Sequence, residues 1–179
     1  MEKLRLLDGQ LLDLTMQRLC HQLVENHADF ANSVLVGIQP RGRYFADRIK
    51  ARLDHILGAN LPIGYLDITF YRDDFRRRQN PLQANQTIMP FDVEGKHIVL
   101  IDDVLFTGRT IRAALSALGE YGRPASIQLM VLIDRLYSRD LPIQPDYTGR
   151  AVNSILSQRV VVEWTEQGAA QDAIWLVTK

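Results

Sequence analysis

Hydrophobic positions along this chain fall into two patterns. Ser33 to Ile38, Pro62 to Phe70, Ile98 to Ile101 and Ala125 to Ile133 are short apolar runs, and Val160–Val162 and Ile174–Val177 repeat the pattern near the end. Runs this short, bounded by Gly, Pro or polar residues, predict buried strands. Between them the spacing changes to that of helices. Leu11, Leu12, Leu14, Leu19, Leu23 and Val24 give a first helix an apolar side, with Asp8 as its N-cap. A second helix is predicted from about Arg43 to Leu57, and Ile111, Leu115 and Leu118 share one face of a third. Phe91 to Gly95 reads as the approach to the strand at Ile98. From Tyr71 to about Thr87 the chain turns charged and polar, a length that suits a lid, a binding loop or disorder. Strands alternate with helices through residue 134. That order predicts a parallel α/β sheet with helices on both faces, in one domain spanning residues 1–179. Ligands of such sheets bind beyond the carboxyl ends of the strands. The loops at 39–42, 102–110 and 134–140 all leave those ends.

Composition narrows the classes. The 179 residues suffice for one core of ordinary size, and the 46% hydrophobic fraction is that of a globular domain. With 21 basic and 21 acidic side chains, whole-molecule attraction to nucleic acid is not indicated, although a local basic face is compatible with zero net charge. A single cysteine, Cys20, excludes an intrachain disulfide framework. No stretch reaches the ~20 apolar residues of a membrane span, and the first residues lack a signal-like apolar core. A cytoplasmic location is the expectation.

Candidate chemistry concentrates in Ile98-Val-Leu-Ile-Asp-Asp-Val-Leu-Phe-Thr-Gly-Arg-Thr110. A buried strand ends in two adjacent carboxylates, Asp102 and Asp103. Val104, Leu105 and Phe106 follow, then the loop Thr107, Gly108, Arg109, Thr110 and a helix. Loop amides and a helix N-terminus face an anion, Gly108 permits close backbone approach, and the threonine hydroxyls add donors. The carboxylates accept from a vicinal diol and suit a nearby magnesium ion. Neither the Gly-x-x-x-x-Gly-Lys-Ser/Thr nor the Gly-x-Gly-x-x-Gly nucleotide motif occurs. The run resembles the phosphoribosyl-diphosphate (PRPP) motif of type I phosphoribosyltransferases.

A second loop, Gln39-Pro40-Arg41-Gly42, brings amides and a guanidinium to the same edge. Its equivalent in that family binds pyrophosphate, which gives Pro40, Arg41 and Gly42 this role by resemblance. Arg72, Arg76, Arg77 and Arg78 read either as a solvated charge run or, for Arg72, as a group that closes over pyrophosphate and excludes water.

A closer resemblance covers the chain from about residue 7 to 179. Leu35-Val-Gly-Ile-Gln-Pro-Arg-Gly42, Asp67-Ile-Thr-Phe-Tyr-Arg-Asp-Asp74, the 98–110 run, Gly122-Arg-Pro-Ala-Ser-Ile-Gln-Leu129, and Leu141-Pro142 followed by Asp146-Tyr147 and Gly149 occur in order. Together they resemble the bifunctional pyrimidine operon regulators that are also uracil phosphoribosyltransferases. The resemblance implies a type I phosphoribosyltransferase fold: a central, mostly parallel twisted sheet flanked by helices, with a flexible loop and a small hood. It implies PRPP and uracil as substrates, UMP and pyrophosphate as products, magnesium as cofactor, homodimers or higher oligomers, and binding of pyrimidine-operon messenger RNA. On this resemblance Asp102 and Asp103 are catalytic, and residues 102–110 with 40–42 and Arg72 bind PRPP. Backbone near Ile133 and Asp134 reads uracil, and Arg18, His21 and Arg150 face RNA. No separate set of metal-ligating side chains is assigned.

Two departures from that family stand out. The segment Asp134-Arg-Leu-Tyr-Ser-Arg-Asp-Leu-Pro142 is one residue longer than the family's stretch and lacks its Gly or His. Gln144 replaces a basic residue. Three readings share the PRPP motif: an enzyme making UMP, an RNA-binding regulator that uses nucleotides only as effectors, and a purine phosphoribosyltransferase. Tyr71-Arg72-Asp73-Asp74 argues against the last.

Overall fold

The computed structural model describes residues 2–73 and 84–178. Asp8 caps the first helix as predicted: its carboxylate accepts from the Leu11 amide at 2.9 Å. This helix, α1 (Gly9–His27), follows a strand, β1 (Glu2–Leu7). β2 (Ser33–Ile38), α2 (Gly42–Leu57) and β3 (Ile63–Leu66) come next. Beyond the charged segment lie β4 (His97–Leu105), α3 (Arg109–Leu118), β5 (Ser126–Leu136), β6 (Tyr147–Asn153), β7 (Gln158–Glu163) and β8 (Ala173–Thr178).

Among the described residues the strands form two sheets. The larger has the order β3-β2-β4-β5-β6 and every pairing in it is parallel. Its central strands are buried on both faces, so they read as continuous apolar runs rather than alternating ones. Leu35, Val99, Ile101 and Met130 pack with Leu12, Leu19, Phe45 and Ile49 of α1 and α2. Val34, Val36, Ile98, Leu100 and Val131 pack with Ile111, Ala114 and Leu118 of α3 on the other face. Helices on both faces were the expectation, and the structure has them. The smaller sheet, β1-β8-β7, is antiparallel. Its inner side adds Leu6, Val160, Trp164 and Ile174 to the core shared with α1 and α2.

Several boundaries differ from the sequence expectation. The strand expected over 62–70 ends at Leu66, and a 3₁₀ turn occupies Thr69–Tyr71. β5 runs on to Leu136, so Asp134 and Arg135 belong to the strand rather than to the loop after it. Leu115 is 42% exposed, and α3 buries Ile111, Ala114 and Leu118 through its alanine side instead. Leu11 and Leu14 also face outward, while Met16 and Cys20 take the inner positions of α1.

Candidate active site

The sheet order places β4 in the middle, with β2 and β5 on either side. Its last turns of pleat carry Asp102 and Asp103, each 6% exposed. The Asp103 amide donates to Asp102 Oδ1 at 2.9 Å. Burial pushes the Asp102 carboxyl well above the ordinary range, and the neighbouring Asp103 charge adds to it. Burial also raises Asp103, against the opposing charge of Arg41. Two carboxylates so placed hold an incentive to accept hydrogen bonds or a cation.

The loop after β2 lies directly over this pair. A Cβ on Gly42 would stand 2.7 Å from the Ile101 carbonyl oxygen and 3.1 Å from Asp102 Cα. Glycine is therefore what lets this loop close on the acidic strand. Gln39 ties the loop down: its amide donates to the Leu66 carbonyl at 2.9 Å and its side chain to the Gln86 carbonyl at 2.7 Å. The Gln39–Pro40 bond is cis.

A cavity of about 510 Å³ opens between the two loops. Pro40, Arg41, Arg72, Asp102, Asp103, Val104, Phe106 and Thr110 all line it. The structure thus brings the predicted pyrophosphate loop, the acidic pair and the start of α3 to one place. Gly108, at φ +92°, turns the chain into α3, and Thr107 Oγ1 accepts from the Arg109 amide at 3.4 Å. Arg76, Arg77 and Arg78 lie outside the described residues.

Not every expected residue faces the cavity. Leu105 and Ile133 are core residues, so only their backbone groups are available to a ligand. The Arg109 guanidinium turns away, donating to Asp140 at 3.1 Å and to Asp73 at 3.0 Å. Asp134 is buried and paired with the Arg139 guanidinium, which also donates to the carbonyls of Phe106 (2.6 Å), Arg135 (3.1 Å) and Ile143 (2.9 Å). The Asp140 amide donates to the Thr107 carbonyl at 3.0 Å. The segment after β5 and the loop after β4 are in this way one cross-linked unit. Of the residues assigned to RNA, His21 is exposed. Arg18 donates to the carbonyls of Thr148 and Gly149 (3.3 and 2.6 Å), and Arg150 donates to the Leu6 carbonyl.

Sequence reasoning assigned no site role to several residues that line the cavity: Ile38, Ile68, Thr69, Asn85, Arg135, Arg159 and Val160. Arg135 is 4% exposed and stacks on the Phe106 ring, 3.8 Å from its centroid. Arg159 and Val160 arrive on β7, from the smaller sheet. An arginine that is sequence-adjacent to a valine run carries no signal of which site it will face.

Comparison with known proteins accords with this geometry. The family described as "Phosphoribosyl transferase domain" matches residues 4–167. The chain is 44% identical to the "Bifunctional protein PyrR" of Geobacter sp. (strain M21), over 94% of this chain and 95% of that one. It is 43% identical to the protein of the same name from Chloroflexus aurantiacus, over 96% and 94%. Among solved structures it resembles a hypoxanthine phosphoribosyltransferase from Staphylococcus aureus, with TM-score 0.71 and 20% identity over 96% of this chain and 90% of that one. The hypoxanthine phosphoribosyltransferase of Trypanosoma cruzi gives TM-score 0.74 and 13% identity over 97% and 95%. At these identities the two structures share the fold.

Proposed function

Because the chain belongs to the phosphoribosyltransferase family and, within it, to the bifunctional PyrR proteins, pyrimidine operon regulators with uracil phosphoribosyltransferase activity, we propose that the cavity over Asp102 and Asp103 binds PRPP and passes its phosphoribosyl group to uracil. The products are UMP and pyrophosphate. The observation that carries this reading is the pair of adjacent buried carboxylates in one cavity with Arg41 and Thr110.

The reaction breaks the bond from the anomeric carbon to a pyrophosphate oxygen, forms one to a uracil nitrogen, and releases the proton that nitrogen carried. Positive charge grows on the ribose ring as pyrophosphate departs. Asp102 and Asp103 accept from the ribose hydroxyls and stabilise that charge from a fixed, dry position. The loop Thr107–Thr110 receives the 5′-phosphate at the start of α3. Arg41, with Arg72, neutralises the departing pyrophosphate. Backbone groups of Ile133 and Asp134 read the uracil edge. No nucleophile from the protein is required, since uracil attacks directly and positioning and electrostatics carry the rate.

Magnesium suits this donor set. The described residues hold no cluster of three or more metal-ligating side chains, but an uncompensated carboxylate pair matches an ion that takes one or two carboxylates and completes its shell with substrate oxygens and water. When bound it would supply further neutralisation of the pyrophosphate charge. The same reading takes the chain as one domain, homodimeric or larger, working in the cytoplasm, with pyrimidine-operon messenger RNA met on the face that carries Arg18, His21 and Arg150.

A nucleotide-sensing regulator with weak catalysis is the second reading. The departure that motivates it is the lengthened segment after β5, where Tyr137 stands 89% exposed at φ +62°. Steady-state UMP formation by the unaltered chain decides between them, with Asp103→Asn as control: robust turnover favours the enzyme, and none with PRPP still bound favours the regulator. The enzyme reading expects turnover in that control to fall by ~10²-fold or more, the scale of losing one preorganised electrostatic group. Turnover close to that of the unaltered chain contradicts the role given to Asp103.

A further inference from the structure

We propose that Arg135 is a positioning residue for uracil: it fastens the turn between β6 and β7 to the Phe106 ring and so sets the shape of the cavity at its base end. The inference rests on the reading of the cavity as a PRPP and uracil site. It names a residue to which the sequence motifs give no role.

Arg135 directly follows Asp134 near the end of β5, beside the backbone groups to which the uracil edge is assigned. Its side chain is buried. The guanidinium donates to Ser154 Oγ at 2.8 Å, to the Ile155 carbonyl at 3.1 Å and to the Gln158 carbonyl at 2.9 Å, all in or beside the turn between β6 and β7. The same group lies 3.8 Å from the centroid of the Phe106 ring. Phe106 belongs to the loop that follows the acidic pair. One side chain therefore joins β5, the loop after β4 and the β6–β7 turn.

Apolar burial contributes little at the tip of this turn. Ile155 and Leu156 are exposed there, and with Tyr137 they line an open cavity of about 850 Å³. The turn closes on itself through Gln158. The Gln158 amide donates to the Ile155 carbonyl at 3.0 Å, and its side-chain oxygen accepts from the Ile155 amide at 3.1 Å. The guanidinium is what links this closed turn to Phe106. Arg135 and Phe106 line the site cavity, whereas Ser154, Ile155 and Gln158 line the open one, so Arg135 stands as the partition between them.

Geometry explains why the residue is arginine. Burial pulls the pKa of Arg135 below its ordinary value, and its hydrogen bonds among the described residues go to neutral acceptors, with no carboxylate partner. A buried cation in such surroundings costs stability. What the position gains is a rigid planar fork that meets several acceptors at fixed spacing while its face stacks on a ring. Lysine carries the same charge and cannot do both.

The test compares the full chain with Arg135→Lys and Ser154→Ala in steady-state UMP formation. Thermal midpoints and equilibrium binding of PRPP and of UMP are measured beside it. Arg135→Lys is expected to raise the KM for uracil by about tenfold, with kcat and the KM for PRPP close to those of the unaltered chain. Ser154→Ala removes one acceptor and is expected to raise the KM for uracil by about threefold at an unchanged thermal midpoint. An unchanged KM for uracil in Arg135→Lys overturns the proposal and leaves positive charge as all that the position requires. KM values for uracil and PRPP that rise together also overturn it, since a general loosening of the fold does that. Where Arg135→Lys does not fold, Ser154→Ala decides, and an unchanged KM for uracil overturns the proposal. UMP binding weakened at unaltered PRPP binding, in a chain that makes no UMP, keeps the brace and removes the transferase reading. An unaltered chain that binds neither PRPP nor UMP removes both.

Discussion

Asp102 and Asp103 stand side by side at the end of β4, nearly out of reach of water, and Arg41 is the cation that opposes their charge. A folded-state carboxyl raised above its unfolded value favours folding only while it is protonated. Unfolded aspartates ionise near pH 4. Above that pH the unfolded chain releases its protons freely while the folded pair resists, so stability falls as pH rises through the raised folded values. Asp102→Asn removes one of the two charges and keeps an oxygen to accept from the Asp103 amide. Urea unfolding at pH 8 is expected to show the variant more stable by about 1 kcal/mol, with little difference at pH 4 and with UMP formation lost. Equal midpoints at both pH values would show that the pair imposes no such cost. The motif around these residues was legible because its chemistry needs contiguous residues: a strand end, two carboxylates and a small-residue turn. Arg135 and Arg159 were not legible, because the two sheets bring them to the site from 33 and 57 positions downstream of Asp102.

At the scale of elements, the segment after β5 is fastened to the loop after β4. Gly108 shows how tightly: a Cβ there would meet Ile143 Cδ1 at 3.2 Å and Leu141 Cβ at 3.4 Å. Arg139 is the hub, holding Asp134 and three backbone carbonyls. Removing it strands a buried carboxylate, a change that costs about 3 kcal/mol. Arg139→Ala is expected to lower the free energy of unfolding in urea by that amount and to raise the KM for both uracil and PRPP, since both loops lose the same clasp. A variant with unchanged KM values would show that the two loops act independently. β1 and β6 escaped the sequence reading for a related reason. Each lies at the edge of its sheet, β1 beside β8 and β6 beside β5. Along Tyr147–Asn153 only Tyr147 and Val152 are buried, and along Glu2–Leu7 only Leu6 and Leu7. These two edge strands bury too few positions to print an apolar run, unlike the edge strands β3 and β7, whose runs at 62–70 and 160–162 were legible. Central strands such as β2, buried at every position, print it clearly. Leu115 was misplaced because alanines can fill a helix face packed close to a sheet, and periodicity counts leucine above alanine.

Across the whole molecule, two sheets of different construction meet at the cavity. The parallel sheet supplies the carboxylates, Arg41 and Thr110 at the start of α3; the antiparallel one supplies Arg159 and Val160. The fold is shared with hypoxanthine phosphoribosyltransferases, so the fold leaves the choice of base open. The likeness to PyrR proteins extends over nearly the whole chain, and the proposed choice of uracil rests on it. The most direct measurement is product formation from PRPP and magnesium with uracil and hypoxanthine offered separately at equal concentration. The account predicts UMP at a kcat/KM at least ~10²-fold above that for IMP, the discrimination available when a site's buried polar groups match one base and are left unpaired by the other. Equal or greater IMP formation, or no product from uracil, would contradict it.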